Sequence, residues 1–71
     1  MTFRAHVHFQ RPVAMVADDI GEQQLSWRPI LYGRIEFLYD GKTQVGRVEE
    51  VDPPDWDTRG VVPTVLIVQR Q

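Results

Sequence analysis

The sequence predicts an all-β domain, a small barrel or partly open barrel of four to five mainly antiparallel strands. Three observations predict it: an alternating apolar segment at the N-terminus, a glycine hairpin at Asp40-Gly41, and a β-branched run near the C-terminus. No long helical stretch separates them, which argues against an α/β fold. With 71 residues, the chain has room for one domain, spanning positions 1–71.

The first strand is read from residues 2–9. Phe3, Ala5, Val7 and Phe9 fall on one face, and Thr2, Arg4, His6 and His8 on the other. Successive strand side chains point to opposite faces, so this strand has one buried and one wet side. Arg11-Pro12 ends it, because proline cannot donate to a ladder. Residues 13–28 allow several readings: a short strand over 13–16, a helical turn over 18–25 capped by Asp18 or Asp19, or an ordered loop. Gly21 weakens the helical reading.

Pro29 restarts an extended segment, with Leu31, Gly33, Ile35, Phe37 and Tyr39 on one face. Asp40 and Gly41 both tolerate positive φ, which makes them a strong hairpin signal. A two-residue loop would set Arg34 opposite Arg47, and like charges directly opposite are unfavourable. A three-residue loop pairs Tyr39 with Thr43 and Phe37 with Val45. With a bulge at Gly46, Ile35 then meets Val48 and Arg34 meets Glu49, and this register is the expectation. Asp52-Pro53-Pro54-Asp55 stops the strand and predicts one helical turn with Asp52 as cap. Residues 61–69 form the last strand, apolar on both faces, which predicts two-sided burial or a second chain against it.

Two pieces resemble the C-terminal barrel domain of elongation factor Tu and its small stand-alone relatives. They are Phe3-Arg4-Ala5-His6-Val7, similar to the opening strand of that domain, and the hairpin around Thr43-Gln44-Val45-Gly46-Arg47-Val48. The resemblance implies a non-catalytic barrel that binds protein and RNA partners. The same hairpin fits an SH3-like barrel equally. Here a further strand follows the hairpin that closes the elongation-factor domain.

Composition narrows the function. The chain has no cysteine, so neither disulfides nor thiolate chemistry are available. The net charge is −2, which argues against a general nucleic-acid binder, whose affinity comes from neutralising phosphates. No signal peptide or membrane span is read, and a soluble, cytoplasmic protein is expected. No glycine-rich phosphate loop is present, and no cofactor is expected. Ser26 is the only serine and lacks a nucleophile setting, so the sequence leans against an enzyme.

Three functional readings follow. The first is a non-catalytic binding or accessory module for a protein partner, through Asp55, Trp56, Asp57 and Arg59 in the acidic loop or through the last strand. Trp56 has two roles open to it, a contact for a basic partner or a plug for the barrel end. The second is a nucleic-acid-binding barrel using Arg4, Trp27, Tyr32, Arg34 and Arg47. The third is a small metal-dependent enzyme at His6 and His8, whose spacing puts both imidazoles on one strand face. Its third ligand would come from Asp18, Asp19, Glu22 or Glu36, with Arg4 on the same face repelling a cation. A homodimer through residues 61–68, which hold Val61, Val62, Val65 and Val68, is a separate expectation.

Overall fold

The computed structural model describes residues 2–69. Five strands form a closed barrel in the order β1 (Phe3–Gln10), β2 (Asp18–Leu25), β3 (Arg34–Tyr39), β4 (Lys42–Asp52) and β5 (Thr64–Gln69), with one helical turn, α1 (Trp56–Arg59), before β5. Each strand runs antiparallel to the one before it. A fifth strand therefore points the same way as the first, and the closing β1–β5 seam is parallel.

The interior is apolar throughout. Ala5, Val7 and Phe9 from β1 meet Leu25, Ile35, Phe37, Val48, Val65 and Ile67, all buried. Phe9 and Phe37 fill the middle in an edge-to-face pair with ring centroids 5.3 Å apart, the arrangement the ring quadrupoles favour. No described polar or charged side chain is buried, so every ionisable group among the described residues lies on the outside or at the ends.

The hairpin has a two-residue loop, contrary to the register expected from charge. Tyr39 pairs with Lys42, Ile35 with Gly46, and Arg34 with Arg47. Asp40 and Gly41 have φ of 55° and 74°, a primed turn whose twist matches that of the flanking strands. The like charges are relieved along the strands rather than across them. Arg34 reaches Glu36 and Arg47 reaches Glu49, each at 3.5 Å, and the Arg47 guanidinium lies over the Tyr32 ring at 5.3 Å.

Gly46 is no bulge. It is a point of close approach between β4 and β5, where a Cβ would press on Ile67 Cγ2 and lie 2.7 Å from the Val68 carbonyl oxygen. The β4 bulge falls at Glu49, between the pairs Val48–Ile67 and Glu50–Leu66. That extra residue turns Val51 back toward the interior, opposite Val65.

Residues 18–25 are a strand, not a helical turn or loop. Gly21 sits at φ +75°, which no helix accommodates, and Leu25 is buried. Residues 13–16 form no strand: Val13, Met15 and Val16 stand out into solvent. The β3 strand begins later than expected because residues 30–33 turn. Gly33 N–H donates to the Ile30 carbonyl, Tyr32 takes φ 67°, and Tyr32 N–H donates to Val48 O at 2.7 Å. Asp52 ends β4 rather than capping α1. Asp55 takes the cap position without a side-chain bond, and Gly60, at φ 69°, closes the turn.

The last strand is shorter than expected, starting at Thr64, and is paired on both edges. Val65 and Ile67 point inward, which explains half of its apolar character. Leu66 and Val68 are half-buried outside, while Val61 and Val62 precede the strand exposed.

Candidate functional site

Three groups of side chains carry chemistry on the outer surface. The first lies across β2, β1, β5 and β4. Reading the pairings sideways, Asp19 faces His8, His8 faces Leu66, and Leu66 faces Glu50. One step along, Glu22 faces His6, His6 faces Thr64, and Thr64 faces Asp52. The two imidazoles thus have carboxylates directly opposite on β2 and, beyond Leu66 and Thr64 of β5, two more on β4.

A β-bulge brings Asp19 to the histidines. Gly21 pairs with Val7 and Asp19 with His8, leaving Ile20 as the extra residue on β2. In unbroken register Asp19 would fall opposite Phe9, on the core side. His6 Nε2 lies 2.7 Å from Asp19 Oδ1, and the Gly21 N–H donates to the same oxygen at 3.0 Å. The His6 and His8 rings are 5.3 Å apart and tilted by 46°. Ligand atoms of His6, His8 and Asp19 all lie within 4.8 Å of one another. The Gly21 N–H above all holds the Asp19 carboxyl below its ordinary value; desolvation opposes it, and His6 and then His8 add smaller lowering effects.

Of the other proposed third ligands, Glu22 is held by Arg4 at 2.8 Å, Glu36 lies on β3 beside Arg34, and Asp18 pairs with Phe9. That contact places the Arg4 guanidinium on the carboxylate directly opposite His6, which neutralises Glu22 there. Beside His8 a groove of about 300 Å³ is lined by Ala17, Glu50, Asp52, Thr64 and Leu66.

The second group is the Trp56 loop. Trp56 is half-buried, its ring edge-on to Phe3 at 6.5 Å and covered by the Arg28 guanidinium at 4.9 Å. Arg28 also holds Asp57, and Arg59 pairs with Asp55 at 3.9 Å. Asp55, Trp56, Asp57 and Arg59 are therefore together, with Trp56 seated on the Phe3 end of the barrel. The bond from Arg28 keeps the Asp57 carboxyl below its ordinary value.

Next to this loop is an apolar surface not evident from the sequence, in which Leu31 reads as a strand residue and Tyr32 as a stacking candidate. Leu31, Tyr32, Val51 and Pro54 floor a groove of about 390 Å³ rimmed by Glu49, Glu50 and Asp52. A second groove, about 230 Å³, continues on the other side of Leu31 past Ile30, Val51, Pro54 and Trp56 to Arg28.

The third group is the proposed nucleic-acid face. Tyr32, Arg34 and Arg47 meet on the outside of β3 and β4, but Arg4 is on β1 and Trp27 is exposed in the β2–β3 loop. Each of the three arginines has a carboxylate at 2.8–3.5 Å. A phosphate would have to displace those acids, which weakens the electrostatic attraction such binding depends on.

The chain matches no protein-family model, no curated protein and no solved structure. Function must be read from these surfaces. No helix among the described residues is long and apolar enough to cross a membrane.

Proposed function

We propose that this barrel is a non-catalytic binding module that takes a segment of a protein partner into the groove over Leu31 and Val51. One observation carries the reading: a continuous apolar floor is bordered by carboxylates. Leu31, Tyr32, Val51 and Pro54 offer apolar contact, and Glu49, Glu50 and Asp52 stand along the rim. The fitting partner presents an apolar side chain flanked by lysine or arginine. Apolar anchoring supplies affinity, and rim charges supply orientation and association rate.

The acidic loop contributes through Pro54 and Trp56, which line the adjoining groove. Trp56 supports the surface from beneath and is a wall of it, while Leu31 is the exposed anchor. Glu50 and Asp52 have no ion-pair partner among the described residues, so their charge is available to a basic ligand.

Selection from a displayed random-peptide library on the immobilised chain tests this. Enrichment of an apolar residue beside Lys or Arg is expected, with binding lost on Leu31→Asp and weakened by added salt. Enriched peptides that bind Leu31→Asp as tightly as the wild type would overturn the proposal. A second copy of the chain is a different occupant, using Val61, Val62, Leu66 and Val68, and a dimeric mass unaffected by Leu31→Asp would identify it.

A further inference from the structure

We propose that His6, His8 and Asp19 form a binding site for a divalent transition metal, with zinc the cation their donor set suits. Two imidazoles and a carboxylate, with no thiolate in the chain, match the borderline preference of zinc and its neighbours. Its three donors, His6, His8 and Asp19, lie outside the groove over Leu31, although Glu50 and Asp52 border both.

Geometry supports it at three levels. The H-x-H spacing sets both rings on the outer face of β1, and the bulge at Ile20 turns Asp19 onto that face from the neighbouring strand. Without that bulge the third donor would be absent. The Gly21 N–H then fixes the Asp19 carboxylate from behind, as outer-shell hydrogen bonds do for metal ligands.

The distances are within reach of closure. Zinc bonds of about 2.0–2.1 Å in a tetrahedron place donor atoms about 3.3 Å apart. The donors now span up to 4.8 Å, so their ends need to move by about 1.5 Å. His6 and Asp19 keep 43% and 56% of their side-chain surface exposed, which leaves room for that rotation. His6 Nε2 and Asp19 Oδ1 are already 2.7 Å apart, close enough to converge on one cation.

The surroundings favour positive charge. Glu50 and Asp52 on β4, without an ion-pair partner among the described residues, face the groove that His8 lines, while Glu22 opposite His6 is paired with Arg4. Three protein donors leave one tetrahedral position open toward solvent, beside the groove that His8 lines.

The test is a zinc titration of the full chain without an affinity tag, followed by imidazole resonances and by calorimetry. The chain contains only two histidines, so the resonances report this site alone. The expected result is one zinc per chain, both imidazoles shifting together, and a higher melting temperature. His8→Gln and Asp19→Ala should each weaken binding by about tenfold or more, since outer-shell changes alone cost that much. Glu36→Ala, on β3, should leave affinity unchanged. Melting of each variant without zinc checks that the barrel is intact. Unshifted imidazoles at millimolar zinc, or wild-type affinity in Asp19→Ala, would overturn the assignment.

Discussion

His8 and Asp19 stand opposite one another because β2 carries one residue more than β1 at that point. Gly21 makes the extra residue possible at φ +75°, and its N–H then holds the Asp19 carboxylate. A single backbone feature so controls both the closure of β2 onto β1 and the direction of an acidic side chain.

Two glycines should respond to alanine for different reasons. At Gly21 nothing lies near the new Cβ, so Gly21→Ala should cost only left-handed strain, about 1–2 kcal/mol. At Gly46 the new Cβ meets Ile67 and lies 2.7 Å from Val68 O. Gly46→Ala should therefore destabilise by about 1–3 kcal/mol through overpacking of the β4–β5 seam. Urea unfolding measures both. Gly21→Asn should recover part of the loss, because asparagine tolerates that region, and Gly46→Ser should recover none.

The hairpin register predicts the sign of one substitution. With Arg34 opposite Arg47, Arg34→Thr removes a like-charge pair, partly offset by the lost Glu36 contact, and adds a β-branched residue, so stability should rise by about 0.2 kcal/mol, the low end for such pairs. Were Arg34 opposite Glu49, the same change would remove an attractive pair and lower stability. Chemical denaturation of Arg34→Thr distinguishes the two.

Trp56 covers Phe3 and lies beneath Arg28. Trp56→Ala should destabilise the barrel by about 2 kcal/mol, below the 3–5 kcal/mol of a fully buried aromatic because the ring is half-exposed. Trp56→Phe should restore most of it. Thermal melting checks both, and an unchanged melting temperature in Trp56→Ala would make the ring a contact residue alone.

Asp57 gives a pH dependence with a defined sign. The hydrogen bond from Arg28, followed by the Arg28 charge and the Thr58 N–H, lowers the folded-state value beneath 3.8. A carboxyl lowered on folding adds stability above its unfolded value, and that contribution disappears as pH falls through the folded value. Arg28→Ala should raise the Asp57 titration midpoint toward 3.8 and flatten the acid limb of the stability curve. Carbon NMR of the Asp57 carboxyl measures it directly, and an unmoved midpoint would contradict the assignment.

The sequence reveals strands where one face alternates cleanly. Phe3, Ala5, Val7 and Phe9 announce β1, and Asp40-Gly41 announces the hairpin, because both signals are local. It hides β2, whose residues 18–24 hold only one large apolar side chain and whose alternation breaks at the bulge. Charge pairing across the hairpin alone points to the wrong register, because Glu36 and Glu49 neutralise Arg34 and Arg47 along their own strands. His6 and His8 were legible as a pair. Selecting Asp19 from four acids required the bulge, for which Gly21 was the available signal. The exposure of Leu31 is not legible locally, because the turn over 30–33 depends on a distant partner, the Val48 carbonyl.

The central claim is that a basic, apolar segment docks over Leu31. The most direct measurement is a methyl and amide NMR titration of the chain with a library-selected peptide. The predicted result is that shifts concentrate at Leu31, Tyr32, Val51 and the rim acids Glu49, Glu50 and Asp52, and vanish in Leu31→Asp. Shifts confined to Tyr32, Arg34 and Arg47, or spread over Val61, Val62 and Leu66, would contradict it.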